Sequence, residues 1–149
     1  MCYYTSEMAC PYFCPSIPQA AASGPQNAML PLGDAFAGEC HAVPGRPWQP
    51  DPATSRPLCN LGYARGRCDR FPADAGPDAV RFTISRDTGA ALSLYYVLER
   101  DHHPFAHGPL EYSLQSASFS PHPASALLQT QARAYVTSYL RRKAEANRA

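Results

Sequence analysis

The chain has 149 residues, enough for one ordinary domain and too few for two independent cores. A formal charge of +1, from 13 basic and 12 acidic residues, sets up no field for polyanions, so neither nucleic acid nor an anionic membrane surface is an expected partner. Hydrophobic residues at 45% against 17% charged exclude a wholly disordered chain, and no run of about 18 apolar residues is present to span a bilayer.

Residues Met1 to Pro11 carry neither the basic nor the apolar region of a signal peptide, which points to the reducing cytoplasm. In that compartment a group of cysteines more often binds metal than forms bridges. All six, Cys2, Cys10, Cys14, Cys40, Cys59 and Cys68, precede residue 70, and the same half contains most of the 16 prolines. Residues 1–75 therefore read as a succession of turns without helical or alternating apolar periodicity. Phe13, Leu32, Phe36 and Trp48 can pack on the rest of the chain, but a segment so poor in periodic apolar residues needs a staple.

Residues 76–149 are more regular. Val80, Phe82 and Ile84 alternate with Arg81, Thr83 and Ser85, the period of a strand with one buried face. Asp87-Thr88-Gly89-Ala90 supplies a turn, and Leu92, Leu94, Tyr96 and Leu98 alternate in the next run, which predicts a β-hairpin. Leu110, Tyr112 and Leu114 suggest a third strand. Ser120 followed by Pro121 reads as an N-cap and first helical position, opening a helix over about residues 124–146. Leu128, Ala132, Tyr135 and Tyr139 form its apolar stripe, expected to cover the hairpin, while Arg141, Arg142 and Lys143 complement the helix dipole. The expected fold is a small α+β domain: an irregular, metal-stapled half in front of an antiparallel hairpin and a long C-terminal helix.

The candidate metal ligands are Cys10, Cys14, Cys40, Cys59 and Cys68. A site of four ligands takes Cys40, Cys59 and Cys68 with either Cys10 or Cys14, and Cys2, at the terminus, ranks last. There is no Cys-x-x-Cys pair of the kind usual in structural zinc sites, so cysteines arriving singly favour a [4Fe–4S] cluster, with zinc as the alternative. Such a cluster with its thiolates is a net anion. Arg65, Arg67 and Arg70 would balance that charge, and Gly62 and Gly66 would let the backbone approach it.

His102, His103 and His107, flanked by Glu99 and Glu111, form a rival cluster that Pro104 and Gly108 assign to a polar loop. No P-loop, Gly-x-Ser-x-Gly elbow or Gly-x-Gly-x-x-Gly occurs, so no catalytic residue is assigned. These features together suggest a cytoplasmic metal-binding protein in electron transfer, redox sensing or a structural role, presenting Tyr95, Val97 and the outer helix face to a protein partner. The alternative is an interaction module with structural zinc or no metal.

Overall fold

A computed structural model describes residues 8–19, 30–61, 63–73, 76–123 and 125–148. Among these described residues, six strands, one short helical segment and one long helix form two antiparallel sheets and a C-terminal helix. The α+β class expected from the sequence is therefore present. Strands β3 (Ala79–Asp87), β4 (Ala91–Arg100), β5 (His103–Ser113) and β6 (Ser118–Ser120) follow one another as a four-stranded meander. The hairpin falls where alternation placed it, with Phe82 opposite Tyr96 and Ile84 opposite Leu94. Its turn is fixed by Asp87, whose carboxylate accepts the Gly89 N–H at 2.9 Å.

The third strand is longer than expected, and the predicted histidine loop is part of it. His102 occupies the two-residue β4–β5 turn with Asp101, both at positive φ, whereas His103 and His107 lie in β5. Asp and His tolerate that backbone better than most residues. The β4 ladder, running from Arg100–His103 to Ala91–Ser113, outweighs the local effect of Pro104 and Gly108. Val97 is buried, contrary to its expected place on a partner surface, because it lies on a central strand between Arg81 and His107. Tyr95 is exposed.

The long helix α2 spans Ala126–Arg148. Its start is not Ser120-Pro121, because Ser120 is held in the sheet opposite Glu111. Ser125 caps it instead, its hydroxyl accepting the Leu128 N–H at 3.0 Å. Leu128, Ala132 and Val136 are buried, and Tyr135 stacks on Phe82 of β3 with ring centroids 5.6 Å apart. The basic run near its end does more than complement the dipole. Arg141 and Arg142 donate to Asp34 at 2.6 and 2.9 Å, and Lys143 donates to Asp87 at 2.9 Å.

The first half forms a sheet of its own that periodicity did not reveal. β1 (Phe13–Pro18) pairs with β2 (Phe36–Cys40), with a bulge between Pro15 and Ile17. Gly38 is required there, since a Cβ would come within 2.1 Å of the Cys14 carbonyl oxygen. A helical turn α1 (Pro52–Thr54), capped by Asp51, continues into a π-helical turn over Ser55–Cys59. Reciprocal hydrogen bonds between Ala9 and Val80 at 2.8 Å join this half to β3, and one apolar core runs through both.

Candidate metal centre

Four cysteines reach one place from four backbone segments. Cys10 lies in the turn before β1, Cys40 ends β2, Cys59 ends the π-helical turn, and Cys68 closes the turn that starts at Ala64. Their backbones are tied locally. Cys10 N–H donates to Cys59 O at 3.0 Å, Cys40 and Trp48 exchange hydrogen bonds at 2.6 and 3.0 Å, and Cys68 N–H donates to Ala64 O at 2.8 Å.

Two buried polar side chains complete the framework. Asn60 accepts the Phe36 N–H at 2.9 Å and donates to Phe36 O at 3.1 Å and Ser55 O at 3.0 Å, locking the π-helical turn to β2. Gln131 of α2 donates to Cys10 O at 3.0 Å and Phe13 O at 2.8 Å. A buried amide satisfied in this way holds its partners in one geometry, because breaking the contact strands donors and acceptors away from water.

All four thiols line one apolar cavity, walled by Phe13, Trp48, Leu58, Phe71 and Arg70 among others. Its free volume is about 10 Å³, roughly the room of a single water. The side chains of Trp48, Leu58, Cys68, Arg70 and Phe71 are half-buried, so this part of the wall lies one layer from solvent. Among the described residues, no three His, Cys, Asp or Glu side chains form a group that could hold a metal ion as they stand. One zinc ion would draw its thiolates to within about 3.8 Å of one another, from a Zn–S bond of about 2.3 Å and a tetrahedral angle.

Burial pushes the Cys59 thiol up to about 12, and the nearby Cys40 and Cys68 add to the shift. Burial likewise raises Cys10, with Cys59, Cys40 and Cys68 contributing, against an opposing hydrogen bond from the backbone of Tyr12. Cys10 and Cys59 are therefore neutral thiols at pH 7, and a metal that binds them must displace their protons.

Cys14 is not part of the cavity wall. It follows Phe13 on β1, so alternation turns it to the opposite face, where burial and the charge of Glu39 raise its thiol against a hydrogen bond from Thr130. Cys2 lies outside the described residues. Arg65 does not line the cavity; it pairs with Asp78 and sits 4.7 Å over the Phe71 ring. Arg67 is exposed. Arg70 does line it, 4.5 Å over the Trp48 ring, and among the described residues its buried Nε has no hydrogen-bond acceptor.

The histidines do not converge on a site of this kind. The His102 ring stacks on Tyr63 at 4.2 Å, and His107 Nδ1 pairs with the Tyr95 hydroxyl. Tyr63 also donates to Glu99, which therefore serves the packing of this turn.

No protein-family model, curated protein or solved structure matches the chain. Among the described residues no helix is long and apolar enough to cross a membrane. Asn60 and Gln131 had no signal in the sequence, since a buried amide is recognised only once its partners are in place.

Proposed function

We propose that this protein binds one [4Fe–4S] cluster through Cys10, Cys40, Cys59 and Cys68. The cluster staples the proline-rich half and exchanges single electrons with a protein partner in the cytoplasm. One observation carries the reading: four thiols from four separate segments share a single apolar cavity with a cation in its wall. Thiolate donors suit iron–sulfur clusters, an apolar surround suits a site kept from water, and a cation offsets the net negative charge.

A structural zinc ion is the second reading, favoured by the small free volume of about 10 Å³. Purification without oxygen, followed by visible absorption and iron, sulfide and zinc analysis, decides between them. A brown protein with about four irons and four sulfides per chain is the expected result. One zinc without colour makes the site structural, and a colourless, metal-free protein overturns both readings.

A further inference from the structure

Cys10 and Cys59 differ from the other cavity cysteines in one respect: a hydrogen bond from Cys10 N–H to Cys59 O, at 3.0 Å, joins their backbones directly. Cys40 is tied instead to Trp48 and Cys68 to Ala64, and among the described residues no other backbone hydrogen bond links two of the four. A backbone bond of this length sets its two Cα atoms about 5–6 Å apart, as in a hydrogen-bonded strand pair. That separation lies inside the window of about 4.4–6.8 Å that a disulfide spans. Direction agrees with distance, because both side chains face the same cavity. The space agrees too. The cavity has a free volume of about 10 Å³, and a disulfide adds no atom to it, since two sulfurs close on each other as two hydrogens leave.

We infer that Cys10 and Cys59 form a reversible disulfide, an oxidative modification that cross-links the turn before β1 to the end of the π-helical turn. In the structure both are free thiols. With hydrogen peroxide as the oxidant, one thiol loses its proton and its sulfur attacks a peroxide oxygen, breaking the O–O bond to leave a sulfenic acid and water. The second thiol attacks that sulfur, forming the S–S bond and releasing a second water. The two sulfurs lose two electrons and two protons, and the peroxide takes up both. A small dithiol reverses the change by exchange. Both thiols are buried, so the forward reaction is slow. The ring closed over residues 10–59 contains β1 and β2, so the bond staples the proline-rich half by limiting its freedom in the unfolded chain. The inference does not rest on the cluster. A metal that held these two sulfurs would block the bond, and the disulfide belongs to the metal-free protein.

The test takes the full chain, treated with a chelator and checked for residual iron and zinc, and incubates it with hydrogen peroxide under native conditions. Remaining thiols are blocked with one alkylating reagent, the protein is reduced with dithiothreitol, and the thiols released are marked with a second reagent and located by mass spectrometry. The expected product is a chain two hydrogens lighter, with the second label on Cys10 and Cys59 and a urea midpoint above that of the reduced protein. Cys40→Ser and Cys68→Ser should form the same bond, whereas Cys10→Ser and Cys59→Ser should not. A second label chiefly on another pair, or on no pair within one chain, overturns the inference. Where a serine variant does not fold, the wild-type label map decides alone. The cluster reading fails separately. Iron absent from the purified protein removes the cluster and leaves the disulfide to its own assay, while a metal-free protein that stays a dithiol removes the disulfide and leaves the iron count to judge the cluster.

Discussion

The two halves of the molecule are held together by different means. Residues 79–148 depend on repetition: three long strands in register and a long helix, which does not cover the hairpin as expected but packs chiefly on β1, meeting the larger sheet through Tyr135 on Phe82. The described residues between 8 and 71 contain strands of only six and five residues, and their turns depend on individual polar contacts made by Asn60, Gln131, Asp34 and the Arg65–Asp78 pair. In a repetitive element the loss of one residue is spread over many neighbours. In the first half a single side chain fixes a whole turn, and these turns are the ones that carry the four cysteines.

On the proposed reading, loss of the cluster should separate the halves most strongly. Cys10→Ser and Cys59→Ser are expected to abolish stoichiometric iron and to raise amide exchange across residues 8–71, while β3, β4 and β5 stay protected. Cys14→Ser, altered on the opposite face of β1, should keep its full iron content. Equal loss in Cys14→Ser and Cys10→Ser would refute the assignment of the fourth ligand.

The next effect is on the shared core. Phe13 is fully buried beside the cavity, so Phe13→Ala should cost about 3–5 kcal/mol in urea unfolding. Because the core is continuous, this variant should lower the stability of both halves in one cooperative transition, unlike the cysteine variants.

Asn60 comes third. Asn60→Ala removes three buried hydrogen bonds and leaves the Phe36 N–H without its side-chain acceptor, at about 2–3 kcal/mol. Asn60→Asp keeps that acceptor but turns a carboxylate oxygen toward the Phe36 and Ser55 carbonyls in a buried site, so it should be at least as destabilising as alanine. If iron is retained in both at the wild-type level, the π-helical turn does not depend on this clamp to present Cys59.

The same contrast explains which parts of the fold the sequence disclosed. The hairpin and helix were legible because Val80, Phe82, Ile84 and Leu128, Ala132, Tyr135 repeat at the periods of their elements. β5 was cut short because Pro104 and Pro109 interrupt its alternation. Among the described residues, β6 pairs only with Glu111–Ser113, and a strand tolerates proline where it forms an edge. β1 and β2 lie far apart in the chain and contain prolines and a bulge, so their pairing depends on contacts no local window shows. At the candidate site the grouping of the cysteines was visible, but not that Cys10 lines the cavity and Cys14 does not, since strand alternation shows this only once β1 is known. Arg65 and Arg67 looked equivalent to Arg70 until Asp78, remote in sequence, engaged Arg65.

The smallest effect concerns acid, and it distinguishes ties between the halves from ties within one. Burial works against the charge of Asp34, but hydrogen bonds from Arg141 and Ser138 and the charges of Arg142 and Arg141 outweigh it and hold the carboxyl below its usual range. A folded value below the unfolded one means that the contact stabilises the protein above about pH 4 and is lost as pH falls through the lower folded value. Asp34→Asn should cost about 1–2 kcal/mol at pH 7, a figure limited because Arg141 is 45% exposed and its charge is screened by water. Asp87 lies within the second half, where hydrogen bonds from Lys143, Tyr139 and the Gly89 N–H hold its carboxyl down at about 2. Amide exchange around residues 30–38, compared at pH 5 and pH 3, should rise with acid in the wild type and in Asp87→Asn. In Asp34→Asn it should be fast at both. If Asp87→Asn instead abolishes the acid response of that segment, the tie between the halves runs through the hairpin and not through Asp34.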